Sequence, residues 1–400
     1  MCTVSPRHAR HETPLPDELL AADAALHRIH GQIRPTAHLN PLNVVEARAA
    51  FFRGAEAPPF RYAPTTWADD ALDALGRISF PRAHPLGHEL AEAAADTAAL
   101  VVALRDRTAE AFDAASERGG WLLLVDDDPA LLARTVVGAG GYPPPATPPG
   151  SNVPSHPAPR AASPTAPDPL ARIPHALFRR TLAQALADAT GGTWRLVDDP
   201  VMSARVLVDA VRREVLLAPH AQFRARDLAA LVAHEIDVHV RRAEGGRRQS
   251  LHLFETGFHR SLVAEEGLAL LAEHTVSGLP EGFEDRHAEV RRAAHRAREV
   301  GFRALWETLA PTFGQEGAFN VALRLKRGLA DPGEPGVYAK DTVYGIGYRA
   351  VRDWHGGGGD LGGLYVGKVG LHHPVADWIA AGWVRAPDPA PAWVRALAEA

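Results

Sequence analysis

Cysteine is nearly missing from this chain of 400 residues: Cys2 is the only one. An internal disulfide is therefore excluded, as is any cysteine-based zinc cluster, and the usage fits a reducing, cytoplasmic setting. No run approaches the roughly 20 apolar residues a membrane helix needs, so no span is expected. The opening MCTVSPRHARHETPLPDELL has no apolar core of a signal peptide. Excess charge is small, at -5, which gives no electrostatic case for a nucleic-acid partner. The glycine-rich WHGGGGDLGG at 354–363 lacks the context of a dinucleotide fingerprint and reads as a flexible turn. What remains is ordinary for a globular enzyme, with 46% hydrophobic and 23% charged residues. Nothing in the sequence sets the oligomeric state.

Residues 1–15 read as a disordered leader, and 16–137 as a helical region. One helix is expected from Asp17, with Leu19, Leu20, Ala24 and Leu26 at helical spacing and Gly31 as its stop. Asn43 is placed to cap a second, VVEARAAFF, with Glu46 at the third position. Residues 86–117 read as one long helix ending at Gly119, whereas WLLLVDDDPALLARTVV fits helix or strand. Residues 138–169, dominated by Gly, Pro, Ala, Ser and Thr, cannot bury enough apolar area to order themselves and read as a linker or surface loop. Residues 170–400 form a further region. There a helix over 173–190 is followed by TWRLVDD, ARVLVDAV and REVLLAP, short Val/Leu-rich runs that suggest a small antiparallel sheet.

The informative stretch is DLAALVAHEIDVHVRRAEGG, a helix expected from about Ala225 to Gly245-Gly246, with Arg241 and Arg242 in its last turn suiting the dipole. It carries His234, Glu235 and His239. Neutral imidazoles are common zinc ligands, and a carboxylate beside an activated water can take its proton. Histidines four apart share a helix face; these are five apart, about 140° around a regular helix. A π-bulge, which closes i to i+5, would bring them together. The rival pair on a regular helix is His234 with Asp237. Downstream, SLVAEEGLALLAEH puts the adjacent carboxylates Glu265 and Glu266 into an apolar helical run, where a metal is one partner that would justify burying them. His252 and His259 lie between the two helices, and His274 follows as a candidate outer partner of the metal.

These stretches, with IRPTAHLNPLNVVEARAAFF, TWRLVDDPVMSARVLVD, LRLKRGL, PGVYAKDTVYGIG and LYVGKVGL, resemble the flavohaemoglobin expression-modulating QEGLA-motif family. That family also contains the microtubule-associated tyrosine carboxypeptidases, which remove the C-terminal tyrosine of α-tubulin. The resemblance covers the chain except its Pro-rich insert. It implies an α+β, mainly helical, zincin-like metallopeptidase, with His234 and His239 as zinc ligands and Glu235 as the base. Glu266 aligns with the glutamate of QEGLA and is implied as third ligand. Glu265 stands where the family has Gln, which leaves the two carboxylates in competition. Arg324, Lys326, Arg327 and Lys340 lie beside a Gly/Pro loop and two tyrosines. Such cations alone suit a solvated face, but the resemblance raises Arg327, Lys340 and Tyr344 to substrate-binding candidates. The expected reaction is carboxypeptidase-like release of a residue from a peptide or protein C-terminus. Without a long basic segment to dock an acidic microtubule, tubulin is not the expected substrate. Two other readings stand beside it: a non-catalytic, metal-stabilised regulator, and a zinc amidohydrolase acting on a non-peptide amide.

Overall fold

The computed structural model describes residues 13–122 and 168–398, apart from 201, 203 and 281. The leader up to residue 12 and the Pro-rich stretch up to 167, with most of the WLLLVDDDPALLARTVV segment, lie outside the described residues.

The fold is mainly helical with small sheets, an α+β architecture. The first helices are α1 (Asp17–Gln32), α2 (Pro35–Leu39), α3 (Val44–Phe52), α4 (Ala68–Gly76), α5 (Pro85–Asp106) and α6 (Ala109–Arg118). The long helix expected over 86–117 is thus two. Arg107 turns left-handed at φ 54° and ends α5, while Thr108 caps α6 through its hydroxyl. Asn43 precedes α3 but does not cap it with its side chain, which instead bonds the Pro59 carbonyl (2.9 Å) and the Arg61 N–H (2.7 Å), fastening the loop alongside.

The second region opens with β1 (Arg172–Ile173), α7 (His175–Thr190), β2 (Arg195–Asp198), β3 (Val206–Asp209), β4 (Glu214–Leu217) and β5 (Phe223–Arg224). The three-stranded sheet runs β2-β4-β3 and is mixed, not antiparallel throughout: β3 and β4 form a hairpin, but β2 lies parallel to β4. Residues 199–205 are too long a connection for a tight turn, so β2 and β3 do not pair and β4 comes between them.

Helix α8 follows at once. It starts as α-helix at Ala225–Leu231, widens to π-helix over Val232–Val240, and returns to α-helix at Arg241–Arg247. Asp227 anchors its start by accepting the Arg224 N–H at 2.9 Å. Ile236, Val240 and Ala243 face the sheet and α7, packing with Phe178, Val206, Val215 and Leu217. Ala233 and Val238 face the other way, into the main core. Gly245 and Gly246 do not stop the helix. A Cβ there would sit 2.0 Å from the Tyr365 carbonyl and 2.2 Å from that of Phe254, so glycine is what lets two later segments lie against α8.

Beyond it come α9 (Leu253–Thr256), α10 (Ser261–Ser277), α11 (Phe283–Ala297), α12 (Phe302–Lys326), a 3-10 turn (Ala339–Thr342), α13 (Val343–Gly356), a second 3-10 segment (Leu361–Val366), α14 (Val375–Ala380) and α15 (Ala392–Ala398). Gly267 of the EEGLA run and Gly347 of the YGIG run meet at the crossing of α10 and α13. A Cβ on Gly267 would lie 2.1 Å from the Gly347 carbonyl, and one on Gly347 would lie 2.2 Å from that of Val263. This contact holds Tyr344 of α13 beside Glu266 of α10. Among the described residues no helix is long and apolar enough to cross a membrane.

Candidate metal centre

The π-helical widening has the effect that the five-residue spacing requires. His234 and His239 come onto one face with ring centroids 4.9 Å apart. His234, Glu235 and His239 each offer a donor atom within 4.8 Å of the others, close enough to hold one metal ion. The rival Asp237 points elsewhere and pairs with Arg241 at 2.9 Å.

Helix α10 crosses beneath this face and brings three carboxylates to it. Glu266 Oε2 lies 3.7 Å from His234 Nε2 and 3.6 Å from His239 Nε2. It is buried and has no hydrogen-bond partner among the described residues. Glu265 points to the back of the site, where its Oε1 is 2.8 Å from His239 Nδ1. Glu273 plays the same part for the other ring, at 2.6 Å from His234 Nδ1. With each Nδ1 held against a carboxylate, both Nε2 atoms are aimed at the point that Glu266 faces, where loss of their protons would free their lone pairs for a cation. Two imidazole nitrogens and an orphaned carboxylate oxygen converging on one point form a donor set that fits a divalent cation. Glu235 is the other carboxylate within reach of both rings; the missing partner of Glu266 Oε2 favours Glu266.

The electrostatics divide the carboxylates. Burial alone would raise the Glu266 pKa, but His239, Lys340 and His234 together hold it down at about 2. Glu265, buried against Arg242, Lys368 and His239, is likewise held at about 2. Glu235 goes the other way: burial raises it, and the opposing pull of the two histidines does not compensate. Burial would depress His239, yet its hydrogen bond to Glu265 and the Glu266 carboxylate lift it to about 10. His234 is raised too, its burial outweighed by Glu273 and Glu235.

The residues singled out at 324–344 divide as well. Lys340 Nζ stands 3.9 Å from Glu266 Oε1, with its side chain 32% exposed. Tyr344 sits among Glu266, Arg324, Asp341 and Glu235, and burial first, then Glu266, raises its pKa. Arg327 is set back from this group. It pairs with Asp341 at 3.4 Å, lies over the Tyr338 ring, and keeps only 12% of its side chain exposed. Arg324, one turn earlier on α12, is the guanidinium next to Tyr344; it grips Asp341 while 46% of its side chain stays open to water. Lys326 is fully buried and donates to the carbonyls of Ala297 (2.8 Å), Val300 (2.6 Å) and Glu334 (2.8 Å), a structural role.

The other histidines fall outside. His252 stacks on His27 at 3.9 Å and His259 bonds Asp96 at 2.7 Å. His274 meets the Tyr348 hydroxyl at 2.5 Å. It is its neighbour Glu273 that supports the site, which sequence reasoning missed; the signal was present, because Glu273 follows Glu266 by seven residues and so shares its helix face.

The family described as microtubule-associated tyrosine carboxypeptidase matches residues 158–400, more than half of the chain. The chain belongs to that family. Among curated relatives, the mouse microtubule-associated tyrosine carboxypeptidase 1 is 31% identical over 165 residues, which is 40% of this chain and 35% of that protein. The human protein of the same name is 30% identical over 154 residues, 37% of this chain and 32% of the relative. The rat protein is 29% identical over 153 residues, with the same two shares as the human one. The chain therefore spans about a third of the length of the curated relatives it matches. The whole of α8, α10 and the 324–344 zone falls inside the matched residues.

Proposed function

We propose that this protein is a zinc-dependent carboxypeptidase of zincin-like build, with His234, His239 and Glu266 as ligands and Glu235 as general base. The observation that carries the reading is the convergence of His234 Nε2, His239 Nε2 and the partnerless Oε2 of Glu266 on one point. The resemblance to the QEGLA-motif proteins, with its histidine and glutamate motifs, supports the same assignment.

When bound, zinc would polarise the scissile carbonyl and acidify the attacking water. The protein's own residues supply the rest. Glu266 is kept ionised, as a ligand must be, whereas Glu235 is kept basic by burial; two carboxylates with pKa values pushed apart are suited to two roles. Glu235 takes the proton of the attacking water and passes it to the leaving amine. Tyr344 keeps its hydroxyl proton at any working pH and can donate to the developing oxyanion, with Lys340 adding positive charge beside it. A C-terminal substrate needs its α-carboxylate recognised. Lys340 and Arg324 are the cations that line the site, and Arg327 contributes from behind by sharing Asp341 with Arg324. The edge strand β3 is packed against the π-helical segment and offers a backbone for an extended peptide. The substrate is the C-terminus of a peptide or protein in a cytoplasmic setting. Release of a single residue from peptides with a free C-terminus, lost when that terminus is amidated, tests the proposal.

A further inference from the structure

Behind His239 lies a buried charge cluster that the reaction itself does not use. Arg242 is 0% exposed, the largest fully buried side chain described. Its Nε donates to the carbonyls of Leu364 (3.0 Å) and Gly367 (3.1 Å), and its Nη2 to that of Val369 (2.7 Å). Its Nη1 donates to Oε2 of Glu265. Lys368 adds a second cation, with Nζ 3.9 Å from Glu265 Oε1 and a side chain 17% exposed. The backbone of Lys368 is fixed in turn: its N–H donates to the Phe254 carbonyl at 2.7 Å, and its carbonyl accepts from the Phe258 N–H at 3.1 Å. Gly367, at φ 155°, permits this approach, since a Cβ there would lie 2.5 Å from the Phe254 carbonyl.

Burying an arginine, a lysine and a glutamate together costs more than packing apolar groups of the same volume. Three backbone carbonyls satisfy much of the guanidinium's hydrogen bonding, and Glu265 supplies the anion that its buried charge needs. Among the described residues, that carboxylate's one hydrogen bond outside the cluster is the 2.8 Å contact with His239 Nδ1. The partner of the other ring is built differently: Glu273 is 21% exposed, at the rim of the site.

We propose that Arg242 and Lys368 are positioning residues that act through Glu265. They fix its carboxylate so that the His239 ring is held with Nε2 aimed at the metal position. The LYVGKVG segment is thereby part of the metal centre, although it lies more than a hundred residues beyond α8. This rests on the reading that His234, His239 and Glu266 hold a divalent cation.

The test is titration of the purified full chain with Zn²⁺ against a chromophoric chelator, together with the visible spectrum of the Co²⁺-loaded protein. Glu265→Gln keeps an acceptor for the Nδ1–H but loses the charge that the two cations fix, and should raise the zinc dissociation constant by roughly 10-fold, the low end of the scale for an altered outer partner, and shift the cobalt bands. Lys368→Met should move both readouts the same way by less, and Glu273→Gln should weaken zinc less than Glu265→Gln does. Glu265→Gln alone leaves two cations without an anion and is expected to lower the melting temperature. The double variant Glu265→Gln/Lys368→Met removes one charge of each sign, and should recover melting temperature but not metal affinity. If both Glu265 variants bind zinc as tightly as wild type with an unaltered cobalt spectrum, the cluster is structural only and the proposal falls. Wild-type protein that binds neither ion is a different result, and overturns the ligand assignment itself.

Discussion

Glu266 Oε2 and His239 Nε2 face each other at 3.6 Å with no hydrogen bond between them. An acceptor and a ring nitrogen left at that separation in a buried site leave room for an ion that binds both. Replacing His234, His239 or Glu266 by Ala should therefore weaken zinc by more than the roughly 100-fold that loss of an outer partner costs. Equilibrium dialysis with elemental analysis measures this, and wild-type stoichiometry should be one ion per chain. An Asp237→Ala variant should bind normally, since Asp237 is occupied by Arg241.

Metal affinity should climb steeply with pH. In the metal-free site the His239 pKa is raised to about 10, so at neutral pH that ring carries a proton that an incoming cation must displace, and His234 is shifted in the same direction. Raised imidazole pKa values mean proton competition is complete below them and fades as pH rises toward them. The zinc dissociation constant should accordingly fall by roughly 10-fold per pH unit through the neutral range, with about one proton released per ion from His239. Calorimetry in buffers of different ionisation enthalpy counts those protons; binding without proton release would mean that the rings are already neutral.

Glu235→Gln preserves shape and removes basicity. Zinc should remain bound while turnover drops by roughly two to four orders of magnitude, the contribution of a general base. Should turnover survive, the proton acceptor is another group.

The crossing of α10 and α13 gives a prediction about stability. Gly267→Ala places a methyl 2.1 Å from the Gly347 carbonyl, where backbone, not a flexible side chain, must move. It should cost about 1–3 kcal/mol or more and lower the melting temperature, with loss of zinc affinity as Glu266 shifts. Gly31→Ala, inside α1 with nothing within 4 Å of its new methyl, is the control and should leave zinc affinity unchanged and stability unchanged or raised by up to about 1 kcal/mol.

The sequence carried the outline of this site and lost its details at identifiable points. Five residues apart, His234 and His239 share a face only if the helix widens, so the π-helical segment was legible as a condition on the two rings acting together. Buried carboxylates in EEGLA pointed to a partner, but one-residue resolution between Glu265 and Glu266 needed the helix rotation that the Gly267–Gly347 contact sets. Arg242 read as a cation suiting the dipole in the helix's last turn; its burial depends on a segment more than a hundred residues later, which local pattern does not reveal. Arg324 and Arg327 are three apart and look equivalent in LRLKRG, yet only Arg324 reaches Tyr344, because Asp341 and Tyr338 hold Arg327 back. The sheet was legible as strands but not as a mixed sheet, since strand order is a long-range property.

The most direct test of the central claim is mass spectrometry of a peptide library after incubation with zinc-loaded protein. Each peptide is supplied with a free and with an amidated C-terminus, and both are compared with chelated and Glu235→Gln protein. The account predicts loss of a single C-terminal residue from free peptides only, with amidation lowering kcat/KM by about 1.5–3 kcal/mol, the worth of a hydrogen bond to a charged group. Arg324→Ala or Lys340→Ala should narrow that gap, and Arg327→Ala should narrow it less. Cuts in chain interiors, equal cleavage of amidated peptides, or no cleavage by zinc-loaded wild-type protein would contradict the account.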